Sequence, residues 1–231
     1  MIFDPLYFVM MAPAVLLALY AQIKVKGTFS KYSTVGSRSG VSGAEAAAIM
    51  LRDQGIRNVR IESVNGFLSD HYDPFSRTVR LSPEVFHGRS LSAIGVALHE
   101  VGHAIQHAKA YGPMGLRTLA VPMAQFVSPV GFGLLLIGML MQSTGLAVAG
   151  LVLFSSVVLF QLVNLVVEFD ASARAKQAML SLQLVSPGPE AKAVAAVLSA
   201  AALTYVAATL QSILQLAYFA LQVRGMQSRE G

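Results

Sequence analysis

Four stretches of the chain are apolar almost without interruption by charge. They run over residues 5–23, 119–141, 145–167 and 193–222. At about 1.5 Å of rise per residue, each is long enough to cross a hydrocarbon layer of about 30 Å. The pattern therefore predicts a mainly α membrane protein with about four transmembrane helices. Only one charged side chain, Asp4, precedes the first stretch, so it lacks the basic start of a signal peptide and reads as an uncleaved anchor. The second contains Pro122 and Pro129, which predict a kink. The fourth exceeds the minimum span and carries Thr204, Thr209, Gln211, Ser212 and Gln215, a polar side suited to packing on another helix.

Between the first two spans the pattern changes, and residues 24–118 read as a small folded domain. The stretch "SGAE" at 42–45 fits a capping box, with Ser42 at the N-cap and Glu45 three residues on, opening a helix that stops near Gly55. "NVRIESV" (58–64) and "RTVRLS" (77–82) alternate apolar and polar residues, which predicts two short strands and a short β-hairpin. The intervening "NGFLSDHYDPFS" is rich in turn formers. "SPEVF" starts a brief helix with Pro83 in its first turn. A longer helix follows over residues 91–110.

Composition agrees with a membrane protein. Charged residues make up 13% of the chain, about half of what a soluble domain carries. There is no cysteine, which excludes disulfides, thiolate zinc sites and cysteine nucleophiles. The net charge of +5 raises nucleic-acid binding as a possibility, but the cations are dispersed along the chain and follow the spans. Lys24, Lys26, Lys31 and Arg38 come after the first, Lys109 and Arg117 precede the second, and Arg174, Lys176 and Lys192 lie between the third and fourth. With four spans these groups share one side, which the positive-inside rule makes cytoplasmic. Arg224 and Arg229 on the tail dissent. Residues 24–118 and 168–192 are thus expected in the cytoplasm and both termini outside.

The chemistry gathers in "ALHEVGHAIQH", residues 97–107. On a helix, His99 and His103 stand one turn apart and project from the same face. That spacing lets two neutral imidazoles bind one zinc ion. Glu100 is rotated by about 100° from His99, which in an H-E-x-x-H arrangement lets it reach a water held by the metal rather than the metal itself. Zinc acidifies such a water, and the carboxylate can take its proton and later return it to a leaving amine. His107 lies about 12 Å along the axis from His99, too far to share the ion, and no glycine intervenes to turn the chain.

A catalytic zinc site usually has three protein ligands. The favoured third is Glu168, at the cytoplasmic end of the third span, where Gln161, Asn164 and Glu168 form a polar stripe that Ser172 extends. Asp170 competes, but it points away from Glu168 and suits an i,i+4 pair with Arg174. Strand addition of a substrate near residues 77–81, and donation from His71 or Tyr72 to a developing oxyanion, are the expected means of handling a peptide.

"HEVGHAIQHA", the upstream "DHYDP…TVRLS", the downstream "NLVVEFDASARA" and the N-terminal "ALYAQIKVKGTFSKYS…SGAEAA" together resemble the bacterial YugP-like neutral zinc metallopeptidases of the membrane. The resemblance covers most of the chain and is strongest across 40–176. It implies a gluzincin-type enzyme whose cytoplasmic α+β domain is zincin-like, with Zn²⁺ held by His99, His103 and Glu168 and with Glu100 as base. It also implies a bacterial inner-membrane location. The more distant HtpX and prenyl-CaaX proteases similarly pair H-E-x-x-H with a later helical glutamate, often with an aspartate four residues further on, where this chain has Ser172. Ser172, Asn164 and Asp170 are then the candidates for orienting a ligand.

The expected function is a membrane-integrated zinc endopeptidase acting on peptides or proteins, membrane proteins among them, with its site facing the cytoplasm. The lipid bilayer is its surrounding, and nucleic acid is no partner. The rivals are a zinc hydrolase of another amide or ester, and a scaffold or transporter with a structural zinc. The orientation is open to test because any introduced cysteine is unique. In intact cells, an Ala110→Cys variant should resist a membrane-impermeant maleimide and react once the cytoplasmic side is opened. Labelling from outside would reverse the topology.

Overall fold

The computed structural model describes residues 4–230, with the side chains of residues 122, 123 and 230 left aside. The elements are α1 (Pro5–Ser33), α2 (Gly43–Asp53), β1 (Arg60–Ser63), β2 (His71–Asp73), β3 (Thr78–Leu81), α3 (Pro83–Phe86), α4 (Leu91–Ala108), α5 (Gly112–Leu140), α6 (Thr144–Ser181) and α7 (Pro189–Glu230). The chain is mainly helical with one small sheet. Among the described residues, three helices are long and apolar enough to cross a membrane: α1, α6 and α7. They become four when the two halves of α5, bent by 58° between 121 and 124, are counted as one span. Pro122 falls within this break, but its side chain lies outside the described ones.

The long helices overrun the apolar stretches read from sequence. α1 continues through Lys24, Lys26 and Lys31 to Ser33, and α6 continues through Glu168 to Ser181. Apolarity marks what a bilayer can hold, whereas a helix ends where its backbone hydrogen bonding is interrupted.

The chain divides into two compact units. One comprises residues 1–20, 116–165 and 204–231. Within it α5 and α6 pack through glycines: a Cβ at Gly138 would collide with the Ala147 backbone, and one at Gly150 with the Leu135 backbone. Small residues of this kind let helices approach where lipid offers no hydrophobic drive to association. Asp4 caps α1 through the Leu6 amide (2.9 Å) and also accepts from Tyr218 Oη (2.8 Å) and Gln222 Nε2 (2.9 Å) of α7.

The other unit comprises residues 21–115 and 166–203. Its local structure follows the sequence closely. Ser42 and Glu45 make both halves of a capping box on α2, and Gly55, at φ +70°, leads out of that helix. Pro83 sits in the first turn of α3.

The sheet departs from expectation. Its order is β1-β3-β2, and the two strands foreseen from sequence pair in parallel, Arg60 opposite Thr78 through Ser63 opposite Leu81. The hairpin is formed instead by β2 with β3, His71 opposite Arg80 and Asp73 opposite Thr78, so "HYD" within the turn-rich stretch is a strand. The reason lies in the aspartates. Asp73 accepts from the Phe75 and Ser76 amides (2.9 and 3.3 Å), from Ser76 Oγ (2.7 Å) and from Arg80 (2.8 Å), and so builds the tight turn after β2. Asp70 accepts from the Ser82 amide at 2.7 Å and fastens the start of β2 beside the end of β3.

α4 runs through the centre of this unit. Ile94, Leu98, Val101 and Ile105 are buried with Met50 of α2, Val79 and Leu81 of β3, Val85 of α3, Val167, Ala175 and Met179 of α6, and Val194 and Leu198 of α7. Gly102 sets the closest approach. A Cβ there would lie 2.8 Å from the Ala171 carbonyl oxygen and 3.1 Å from Ala171 Cα, both backbone atoms that cannot rotate aside. Gly102→Ala should therefore lower the stability of the detergent-solubilised protein by about 1–3 kcal/mol, read as a fall in thermal unfolding midpoint. Gly133→Ala, where a Cβ meets nothing within 4 Å, should not. Equal midpoints for the two variants would refute the close-contact account.

Candidate metal centre

α4 presents His99 and His103 one turn apart, as their spacing requires, with the ring centroids 4.8 Å from each other. The contact of Gly102 with Ala171 brings α6 alongside, and Glu168, one turn before Ala171, enters between the imidazoles. Its Oε2 lies 3.1 Å from His99 Nε2 and 3.5 Å from His103 Nε2. The three residues offer ligand atoms that all lie within 4.8 Å of one another.

These distances can be set against the needs of an ion. Zinc bonds to imidazole and carboxylate are about 2.0–2.1 Å, so the edge between two ligands of a tetrahedron is about 3.3–3.4 Å. The observed 3.1 and 3.5 Å bracket that edge. Two nitrogens and one carboxylate oxygen also make a donor set of the kind found in catalytic zinc sites, which leave one position open. The residues present fit a zinc ion.

The centre is set deep in the protein. Glu168 is 1% exposed, and Glu100 and His103 are also buried. A carboxylate so placed is costly unless paired, and His99 Nε2, 3.1 Å from its Oε2, supplies a partner. Around them lie further polar groups. Ser172 Oγ is 3.2 Å from His99 Nδ1. His103 Nδ1 is 3.0 Å from Gln106 Oε1, and Gln106 Nε2 reaches the Val167 carbonyl and Asp170 Oδ2, each at 2.8 Å. Asp170 also takes Arg174 Nε at 2.6 Å, the i,i+4 pair read from sequence. Asn164 is buried, and its Oδ1 accepts no hydrogen bond among the described residues. Gln106 was not singled out in the sequence, although its position three residues after His103, on the histidine side of the helix, could have drawn attention to it.

The remaining candidates are engaged elsewhere. His71 is exposed, with Nδ1 2.7 Å from the Ser69 carbonyl of its own loop. Tyr72 is buried, and its hydroxyl lies 2.8 Å from His107 Nδ1. Burial pushes the Tyr72 phenol up, so it stays protonated. Tyr72 and His107 line a cavity of about 560 Å³ with Arg57, Arg77, Ala104 and Lys109. The His99, His103 and Glu168 cluster does not border that space. Arg80 and Ser76 hold the Asp73 carboxyl well below the usual carboxylate range, as suits its place in the turn. Strand addition at 77–81 is ruled out by the sheet: β3 is paired on both sides, and the free edges belong to β1 and β2.

The chain thus combines helices of membrane-spanning length with a largely buried two-histidine, one-glutamate cluster that could hold a metal ion. The comparisons with known proteins agree. Residues 7–224 match the family described as "Putative neutral zinc metallopeptidase", and the chain belongs to that family. It is 50% identical over 205 residues to "Putative membrane protease YugP" of Bacillus subtilis (strain 168), an alignment that covers 89% of this chain and 91% of the relative. No solved structure matches the chain.

Proposed function

We propose that this protein is a membrane-integrated zinc endopeptidase whose metal is held by His99, His103 and Glu168 and whose general base is Glu100. The placing of Glu168 Oε2 at 3.1 and 3.5 Å from the two imidazole nitrogens, close to the edge of a zinc tetrahedron, is the observation that carries the reading. A bound zinc ion would supply Lewis acidity, polarising a substrate carbonyl and lowering the pKa of a water towards about 7.

The chain's own groups do the rest. Glu100 follows the first histidine on α4 and is buried. Its carboxylate takes a proton from the attacking water and returns it to the departing amine, so that one group serves as base and then as acid. The burial of Glu100, His103 and Glu168 limits access of bulk water, which strengthens the electrostatic interactions between them. A peptide bound in extended form would find its main-chain partners on a free sheet edge, β1 or β2. The cations that follow the first apolar stretch orient the site to the cytoplasmic face of the bacterial inner membrane. Peptides or proteins, including membrane proteins, are the proposed substrates.

Two measurements test this reading. After identical mild chelation, wild type and His107→Ala should retain one zinc per chain, while Glu168→Ala loses it. Retention by Glu168→Ala with loss from His107→Ala would require a different ligand set. Glu100→Gln should keep its zinc and lose hydrolysis of an unstructured protein substrate by roughly 100- to 10,000-fold. Full activity in that variant would eliminate Glu100 as base and favour a structural metal.

A further inference from the structure

The geometry points to Gln106 as the positioning residue that fixes which nitrogen of His103 carries the proton, and so which one is free for a metal. Gln106 is fully buried. Its Nε2 lies 2.8 Å from the Val167 carbonyl and 2.8 Å from Asp170 Oδ2. Both neighbours are acceptors: a carbonyl has no hydrogen to give, and the Asp170 carboxylate is already bound by Arg174 through Nε at 2.6 Å and a second guanidinium nitrogen at 3.3 Å. Turning the amide over would set its oxygen against two other oxygens, so its orientation is determined. The carbonyl Oε1 must then face His103 Nδ1, at 3.0 Å.

An amide oxygen can only accept. The nitrogen opposite it must hold a hydrogen, and a neutral imidazole has one to place. With Nδ1 protonated, the lone pair of His103 is on Nε2, the atom 3.5 Å from Glu168 Oε2. The sense of the bond is therefore passed inward from Arg174 through Asp170 and Gln106 to His103. His99 has no such instruction, because its Nδ1 faces the Ser172 hydroxyl at 3.2 Å, a group that can donate or accept. The two histidines are thus held by unequal partners, with His103 the pre-set one. Asp170 gains a role as well: its carboxylate orients an amide rather than approaching the ion.

The inference rests on the proposed ligand set for its effect on zinc, but its claim about the proton concerns the metal-free protein and can be read there. The test uses the full chain in detergent with ¹⁵N-labelled histidine, with the His103 signal assigned by difference from a His103→Ala variant. Metal-free wild type should show His103 protonated on Nδ1. Gln106→Met, similar in length and without a hydrogen-bonding group, should lose that preference and bind zinc about 10- to 100-fold more weakly in competition with a chelator. A wild-type His103 protonated on Nε2 overturns the inference, even if the variant does not fold. A folded Gln106→Met with unchanged tautomer and zinc affinity overturns it too. If wild type shows the Nδ1 proton but binds no zinc, the ligand assignment fails while the role of Gln106 in setting the tautomer stands.

Discussion

The approach of α4 to α6 at Gly102 and Ala171 is the constraint on which the His99, His103 and Glu168 cluster depends, because the histidines and the glutamate belong to different helices and each side chain is short. A helix can place His99 and His103 on one face unaided, but a third ligand from another helix arrives only if the two backbones come close in the right register. With no Cβ on Gly102, the backbone of Ala171 occupies the space a side chain would take. Glu168 lies one turn back along α6 and is carried to 3.1 and 3.5 Å from the two imidazoles. The same contact brings Asp170 over Gln106 and Ser172 over His99, so one glycine determines the approach of three polar side chains.

That close contact makes room for a polar island in an apolar surround. Glu100, His103, Gln106, Glu168 and Ser172 are all buried, while Leu98, Val101, Ile105, Val167 and Ala175 pack nearby. Polar groups and charges removed from water destabilise a fold unless each finds partners. Here the partners are shared: Gln106 links His103 to Asp170, and Asp170 is anchored by Arg174, whose guanidinium also lies over the Tyr111 ring, 5.7 Å from its centre. A buried network of this kind is rigid because the loss of one member leaves others unsatisfied. Rigidity is what a metal site needs, since ligand atoms must be held before the ion arrives.

The small sheet shows the same economy of local devices. Asp70 precedes β2 and Asp73 ends it, one bonded to Ser82 and the other to its own turn and to Arg80. Their carboxylates serve to fold "HYD" back on β3. Tyr72 is thereby directed to His107, and the sheet is left with β1 and β2 as its two edges.

Much of this was legible in the sequence because it depends on neighbours along the chain. The capping box at Ser42, the stop at Gly55, Pro83 at the start of α3 and the paired faces of His99 and His103 all follow from periods and turns within a few residues. So does the Asp170–Arg174 pair at i,i+4. The apolar stretches likewise declared helices of membrane-spanning length, and the polar stripe that ends at Glu168 marked a carboxylate worth pairing with the histidines. What the sequence left open involves faces that meet across space. The parallel pairing of β1 with β3 depends on where the intervening residues send the chain, and the role of Gln106 depends on which atoms of α6 lie opposite it. Gly102 looks like a weak helix residue until Ala171 is seen against it. Periodicity is a property of one helix and can be read from its letters; register between helices is a property of two surfaces, and only the folded chain decides it.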